Sequence, residues 1–138
     1  MPTDTAPKVR IPRPALVGVA SGIVVSLAIT LLDILPDSQG RAILVAAIAT
    51  PYLVFALLDG SPQSLIIEIS VMVAFVTTAF VLFDSPAWMV AFALAAHGVW
   101  DLVHINDRVT ANVGDYPIWC GTLDVTAAAV LLLANALG

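Results

Sequence analysis

The chain has 138 residues, 60% of them hydrophobic and 11% charged, with a mean hydropathy of +1.01; a soluble domain carries about a quarter charged residues, so water is not the main solvent here. Five Lys and Arg residues against ten Asp and Glu form no basic patch with interleaved aromatics, which excludes nucleic acid as a partner. The single cysteine, Cys120, excludes an internal disulfide framework and a paired-thiolate metal knuckle.

A spanning helix needs roughly 20 apolar residues, so the chain holds one domain of five or six spans. At the N-terminus Lys8, Arg10 and Arg13 precede an apolar run from Ala15 to Leu32. That run is longer than the h-region of a signal peptide and lacks a small-residue cleavage site, so it reads as a retained helix. Apolar runs and turn residues predict an all-α polytopic membrane bundle of about five transmembrane helices, with spans near 14–35, 41–58, 63–83, 86–105 and 116–137. The intervening turns Pro36 to Gly40, Asp59 to Pro62 and Asp84 to Pro86 are short, which makes neighbouring helices antiparallel, and Pro62 and Pro86 suit first helical positions. The one long connection, Asn106 to Asp115, is the expected mobile loop.

Basic residues near helix ends set the orientation. An inner-membrane protein with its N-terminus in the cytoplasm places Lys8, Arg10, Arg13 and Arg108 inside and only Arg41 outside, with the C-terminus outside. In the first span Gly18, Gly22 and Ser26 recur every four residues, a small-residue stripe suited to close helix packing or to a homodimer. Asp33 lies on the same face near the outer end, where interfacial water reaches it. Pro51 is expected to bend the second span, with Thr50 placed to re-satisfy the freed carbonyl.

The ionisable residues inside the spans carry the functional argument. In the third span Glu68 shares a face with Ser64 and Met72. The fourth presents His97, Asp101 and His104 at i, i+4 and i+7, within about 60° of one another at 100° per residue. The fifth sets Cys120 and Asp124 four apart, with Asn135 further along that face. Measured from mid-span at 1.5 Å per residue, His97 lies near the midplane and Asp124 about 4 Å inward; Glu68 and Asp101 lie roughly 8 Å and His104 about 13 Å inward. An ionised Asp near a helix centre costs about 2.5 to 3.5 kcal/mol, and no Lys or Arg shares the spans except Arg41 at one end. The available cations are therefore imidazolium, a proton or a bound metal.

The leading expectation is a transition-metal site held by His97, Asp101, His104 and Asp124, zinc before iron or manganese, with Glu68 or Asp101 taking a proton from bound water. Cys120 reads either as a further ligand or nucleophile or as a small core residue. Trp100, Trp119 and Tyr116 read as interfacial anchors. Two other readings stand beside the metal: protonated acids and neutral imidazoles serving as interhelical glue, and a proton or ion pathway.

The run His97-Gly98-Val99-Trp100-Asp101-Leu102-Val103-His104, followed by Tyr116-Pro117-Ile118-Trp119-Cys120 and then Asp124, resembles a group of small bacterial integral membrane proteins of unknown function. The resemblance covers roughly residues 90 to 130 and implies a grouping without an activity. The chain has far fewer histidines than the membrane desaturases; its ligand economy is closer to the ceramidase-like zinc hydrolases, whose third histidine it lacks. The function expected is a membrane-embedded metal-dependent hydrolase acting on membrane lipid or a small apolar substrate from the cytoplasmic side. A proton-coupled or metal-ion transporter and an assembly subunit are the alternatives. The hydrolase reading expects an inward-facing cavity closed on the outer side by Val76, Phe80, Leu94 and Leu131.

Overall fold

A computed structural model of the chain describes residues 11–32, 38–81 and 87–137. Lys8, Arg10, Asp33, Asp84 and Pro86 lie outside the described residues, as do Pro36 and Asp37 of the Pro36 to Gly40 turn. The described residues are all-helical without strands: α1 (Arg13–Leu32), α2 (Ser38–Ile48), α3 (Thr50–Asp59), α4 (Pro62–Val81), α5 (Ala87–His104) and α6 (Tyr116–Leu137). Four stretches are long and apolar enough to cross a membrane: Arg13–Leu31, Ala42–Asp59, Pro62–Val81 and Tyr116–Leu137. The second of these joins α2 to α3. The remaining helix, α5, has 18 residues and carries His97, Asp101 and His104.

The distribution of side chains is that of a protein dissolved in lipid. Leu31, Leu58 and Phe80 are more than 70% exposed, whereas Glu68, His97, Asp101, His104 and Asp124 are at most 2% exposed. Large exposed apolar surface has no place in a water-soluble monomer and is the required exterior in a bilayer.

The break in the second span has the expected cause. Pro51 has no N–H to give the Ala47 carbonyl, and the Thr50 hydroxyl donates to that carbonyl instead. Ala49 between α2 and α3 keeps a helical conformation (φ −78°, ψ −10°), so the backbone carries through the one-residue break. At its other end Gly60 takes a left-handed conformation (φ 71°) and its N–H caps the Ala56 carbonyl at 3.1 Å. Pro62 then opens α4.

The small-residue stripe of α1 is used within the chain. A Cβ on Gly22 would stand 2.6 Å from the Leu123 carbonyl oxygen, and one on Gly18 would strike the Trp119 carbonyl and the Thr122 side chain. Ser26, fully buried, donates to the Gly22 carbonyl at 2.7 Å and faces the Ala127 carbonyl at 3.4 Å. The stripe thus docks α1 on α6, and a homodimer would have to use another face.

Helix α6 meets α5 through a second pair of glycines. A Cβ on Gly98 would stand 3.1 Å from the Gly121 carbonyl, and one on Gly121 would stand 3.0 Å from the Asp101 Cβ. This close approach brings the acids of the two helices together. Two dry clusters occupy the other half of the bundle, Ala42, Val45, Ala79, Val90 and Ala93 in one and Ala91, Leu94, Ala127 and Ala128 in the other.

The connection between α5 and α6 differs from the free loop expected. Thr110 is fully buried and Val113 nearly so. Asp107 Oδ1 accepts the Val113 N–H at 3.1 Å, and the Val109 carbonyl lies 2.7 Å from Ser64 Oγ, which is also 2.9 Å from Asp59 Oδ2. Asn106, Asp107, Asn112 and Gly114 all take positive φ, a tight winding that Asn, Asp and Gly tolerate and that folds the loop back on the helix ends.

Candidate metal centre

Four residues from two helices converge where α5 and α6 come closest. His97, Asp101, Cys120 and Asp124 are all buried, and one ligand atom from each lies within 4.8 Å of the others. On α5 the spacing of four puts His97 and Asp101 one turn apart, and the same spacing does this for Cys120 and Asp124 on α6. His97 Nδ1 lies 2.6 Å from Asp124 Oδ2 and 3.6 Å from Asp101 Oδ2. A buried His/Asp/Cys/Asp group of this compactness can hold a metal ion.

The hydrogen-bond account of this group does not close. Asp101 Oδ2, Asp124 Oδ1 and His97 Nε2 are buried without a hydrogen-bond partner. With both carboxylates ionised, two face one imidazole, and one negative charge is left over even with the imidazole charged. Among the described residues the ion pairs of Glu68, Asp101 and Asp124 are with histidines.

His104 stands apart from this group, contrary to its expected place among the ligands. Its Nε2 lies 2.5 Å from Glu68 Oε1, which also accepts the Thr110 hydroxyl at 2.8 Å, and its Nδ1 lies 3.2 Å from the Trp100 carbonyl. The reason is axial distance. Seven residues bring the helix back to nearly the same azimuth but about 10 Å further along, too far for one ion. Glu68, read as the proton acceptor, is likewise committed to His104 and Thr110 instead of the His97 group. No side-chain atom of Glu68, His104 or Thr110 is buried and unpaired.

Tyr52, which gave no signal in the sequence, joins the two groups. It is 1% exposed, its hydroxyl donates to Asp101 Oδ1 at 2.5 Å, and its ring stacks on His104 with centroids 3.8 Å apart. Phe75 lies edge-to-face with His97 at 5.2 Å, and the half-buried Trp100 packs edge-on to His104 at 5.0 Å. Tyr116 lies edge-on to Tyr52, and its hydroxyl accepts the Cys120 thiol at 3.5 Å.

The residues expected to close the outer side divide. Leu94 is buried beside Leu131, Ala127 and Ala128, whereas Phe80 is 74% exposed and, with Val76, lines a lipid-facing groove. The other described grooves are lined by Leu16, Val17 and Val24, by Val99, Leu102 and Val125, and by Trp88, Met89 and Phe92. None of these four includes a residue of the His97 group. No family model, curated protein or solved structure matches the chain.

Proposed function

We propose that this chain is a membrane-embedded metal protein whose centre is His97, Asp101, Cys120 and Asp124, with zinc as the ion. The observation that carries the reading is the pair of unpartnered carboxylate oxygens, Asp101 Oδ2 and Asp124 Oδ1, buried in a group that sets two acids against one imidazole. An unpaired charge at this depth costs about 2.5 to 3.5 kcal/mol, a large share of the roughly 5 to 15 kcal/mol that holds a domain folded. A divalent ion balances two carboxylates and supplies the missing partner. The mixed nitrogen, oxygen and sulfur donors favour zinc over magnesium or calcium, and a thiol among four donors favours it over manganese.

In this reading the chain is a metal-dependent hydrolase of a lipid or other apolar substrate at the cytoplasmic side. Zinc supplies Lewis-acid polarisation and a bound water acidic enough to ionise near neutral pH. His97, Asp101, Cys120 and Asp124 would hold the ion, and Tyr52, Phe75 and Trp100 exclude bulk water. The HxxWDxxH run and the following Cys120 and Asp124 also support grouping the chain with the small bacterial membrane proteins it resembles.

Elemental analysis of the detergent-purified chain tests the centre. We expect about one zinc per chain, lost in Asp124→Asn and kept in Glu68→Gln. A wild-type chain without metal at undiminished stability would return the His97 group to the role of interhelical glue.

A further inference from the structure

Asp101 and Asp124 each have one bonded and one unpartnered carboxylate oxygen, and Asp101 is the one bonded from outside the centre: Oδ1 accepts the Tyr52 hydroxyl at 2.5 Å, and Oδ2 is buried, unpartnered and 3.6 Å from His97 Nδ1. The donor comes from a separate span. Tyr52 follows Pro51 directly, where the Thr50 hydroxyl has replaced the proline's missing bond to Ala47. Its ring is held by the stack on His104, whose Nε2 meets Glu68, and Glu68 in turn accepts the Thr110 hydroxyl. The phenol therefore has one position, and that position occupies one oxygen of the carboxylate.

Resting on the metal reading above, we infer that Tyr52 is a positioning residue of the metal centre, holding Asp101 as a one-oxygen ligand through Oδ2. A carboxylate free to rotate can bind an ion through both oxygens, raising the coordination number and crowding out a water or a fourth donor. One whose second oxygen is bonded to a phenol presents a single oxygen in a fixed direction. This is the outer-shell arrangement that orients ligands at metal sites, and removal of such a partner costs about 10- to 100-fold in metal affinity. The Glu68–His104–Thr110 group then acts as the buttress of Tyr52, which gives a purpose to a set of buried polar residues that the metal does not touch.

Cobalt(II), which replaces zinc and is coloured, reads both affinity and geometry. Wild-type protein in detergent should take up one cobalt, with a near-ultraviolet charge-transfer band from Cys120 and visible bands set by coordination number. Tyr52→Phe keeps the ring on His104 and removes only the hydroxyl. We expect it to bind cobalt about 10- to 100-fold more weakly, with the Cys120 band retained and weaker visible bands as Asp101 becomes a two-oxygen ligand. Equal affinity and an unchanged visible spectrum in Tyr52→Phe would overturn the role of Tyr52 while leaving the centre standing. A wild-type chain that takes up no cobalt overturns the metal reading and this inference with it. If Tyr52→Phe does not fold, 3-fluorotyrosine at position 52 keeps the shape and strengthens the donor: a shift of the visible bands supports the inference, and unshifted bands overturn it.

Discussion

Two buried polar groups lie one above the other in this bundle, each setting acid against imidazole, and they differ in how completely their polar atoms are paired. Glu68, His104 and Thr110 pair acid with imidazole one to one, and none of their side-chain atoms is buried and unpaired. His97, Asp101, Cys120 and Asp124 set two acids against one imidazole and leave two carboxylate oxygens without partners. A membrane interior penalises an unmatched charge far more than a matched pair, so the second group is the one that gains from a metal ion in the proposed reading. Burial and an acid beside an imidazole, which the two groups share, do not separate them. The unclosed count of hydrogen bonds does.

The largest test of this contrast removes one acid from each group. Asp124→Asn should abolish zinc binding and, with zinc at a hundred times its dissociation constant, forfeit the roughly 2.7 kcal/mol that such binding adds to stability. In chelator the sign changes: the same variant should equal or exceed the wild type, because it removes the excess charge. Glu68→Gln should behave in the opposite way, losing about 1 to 3 kcal/mol with or without zinc and keeping the metal. Thermal unfolding of both variants in detergent, each with zinc and with chelator, gives the four values. A stability loss for Asp124→Asn in chelator would show that its carboxylate serves as hydrogen-bonding glue.

A smaller expectation concerns depth. Both groups fall in the cytoplasmic half only if the N-terminus is inside, as the basic residues imply. A reporter fused after Gly138 should then lie outside the cytoplasm; a cytoplasmic reporter would move both groups to the other leaflet and the substrate entrance with them.

Much of the fold was legible because a bilayer makes simple demands. Apolar runs of spanning length, the turn at Asp59 to Pro62 and the break at Pro51 follow from hydropathy and proline chemistry and appear where expected. His97, Asp101 and Asp124 were legible from cost alone, since intramembrane acids need partners. His104 was grouped with His97 on their shared azimuth, although seven residues of rise set the two about 10 Å apart along the axis. Tyr52 left no trace because a lone tyrosine in an apolar span reads as packing, and its partner Asp101 lies on another helix. Cys120 was open between ligand and core residue; the structure adds that Gly98 and Gly121, whose missing side chains let α5 approach, bring His97 and Asp101 alongside it and Asp124.

The central claim is that one ion is held by one sulfur, one imidazole and two carboxylates. X-ray absorption at the zinc edge of the purified, zinc-loaded chain tests it most directly. The account predicts one sulfur neighbour at about 2.3 Å and nitrogen or oxygen neighbours at about 2.0 to 2.2 Å, including an imidazole, with the sulfur lost in Cys120→Ser. A zinc shell of two imidazoles without sulfur would contradict it, since that would put His104 on the metal in place of Cys120.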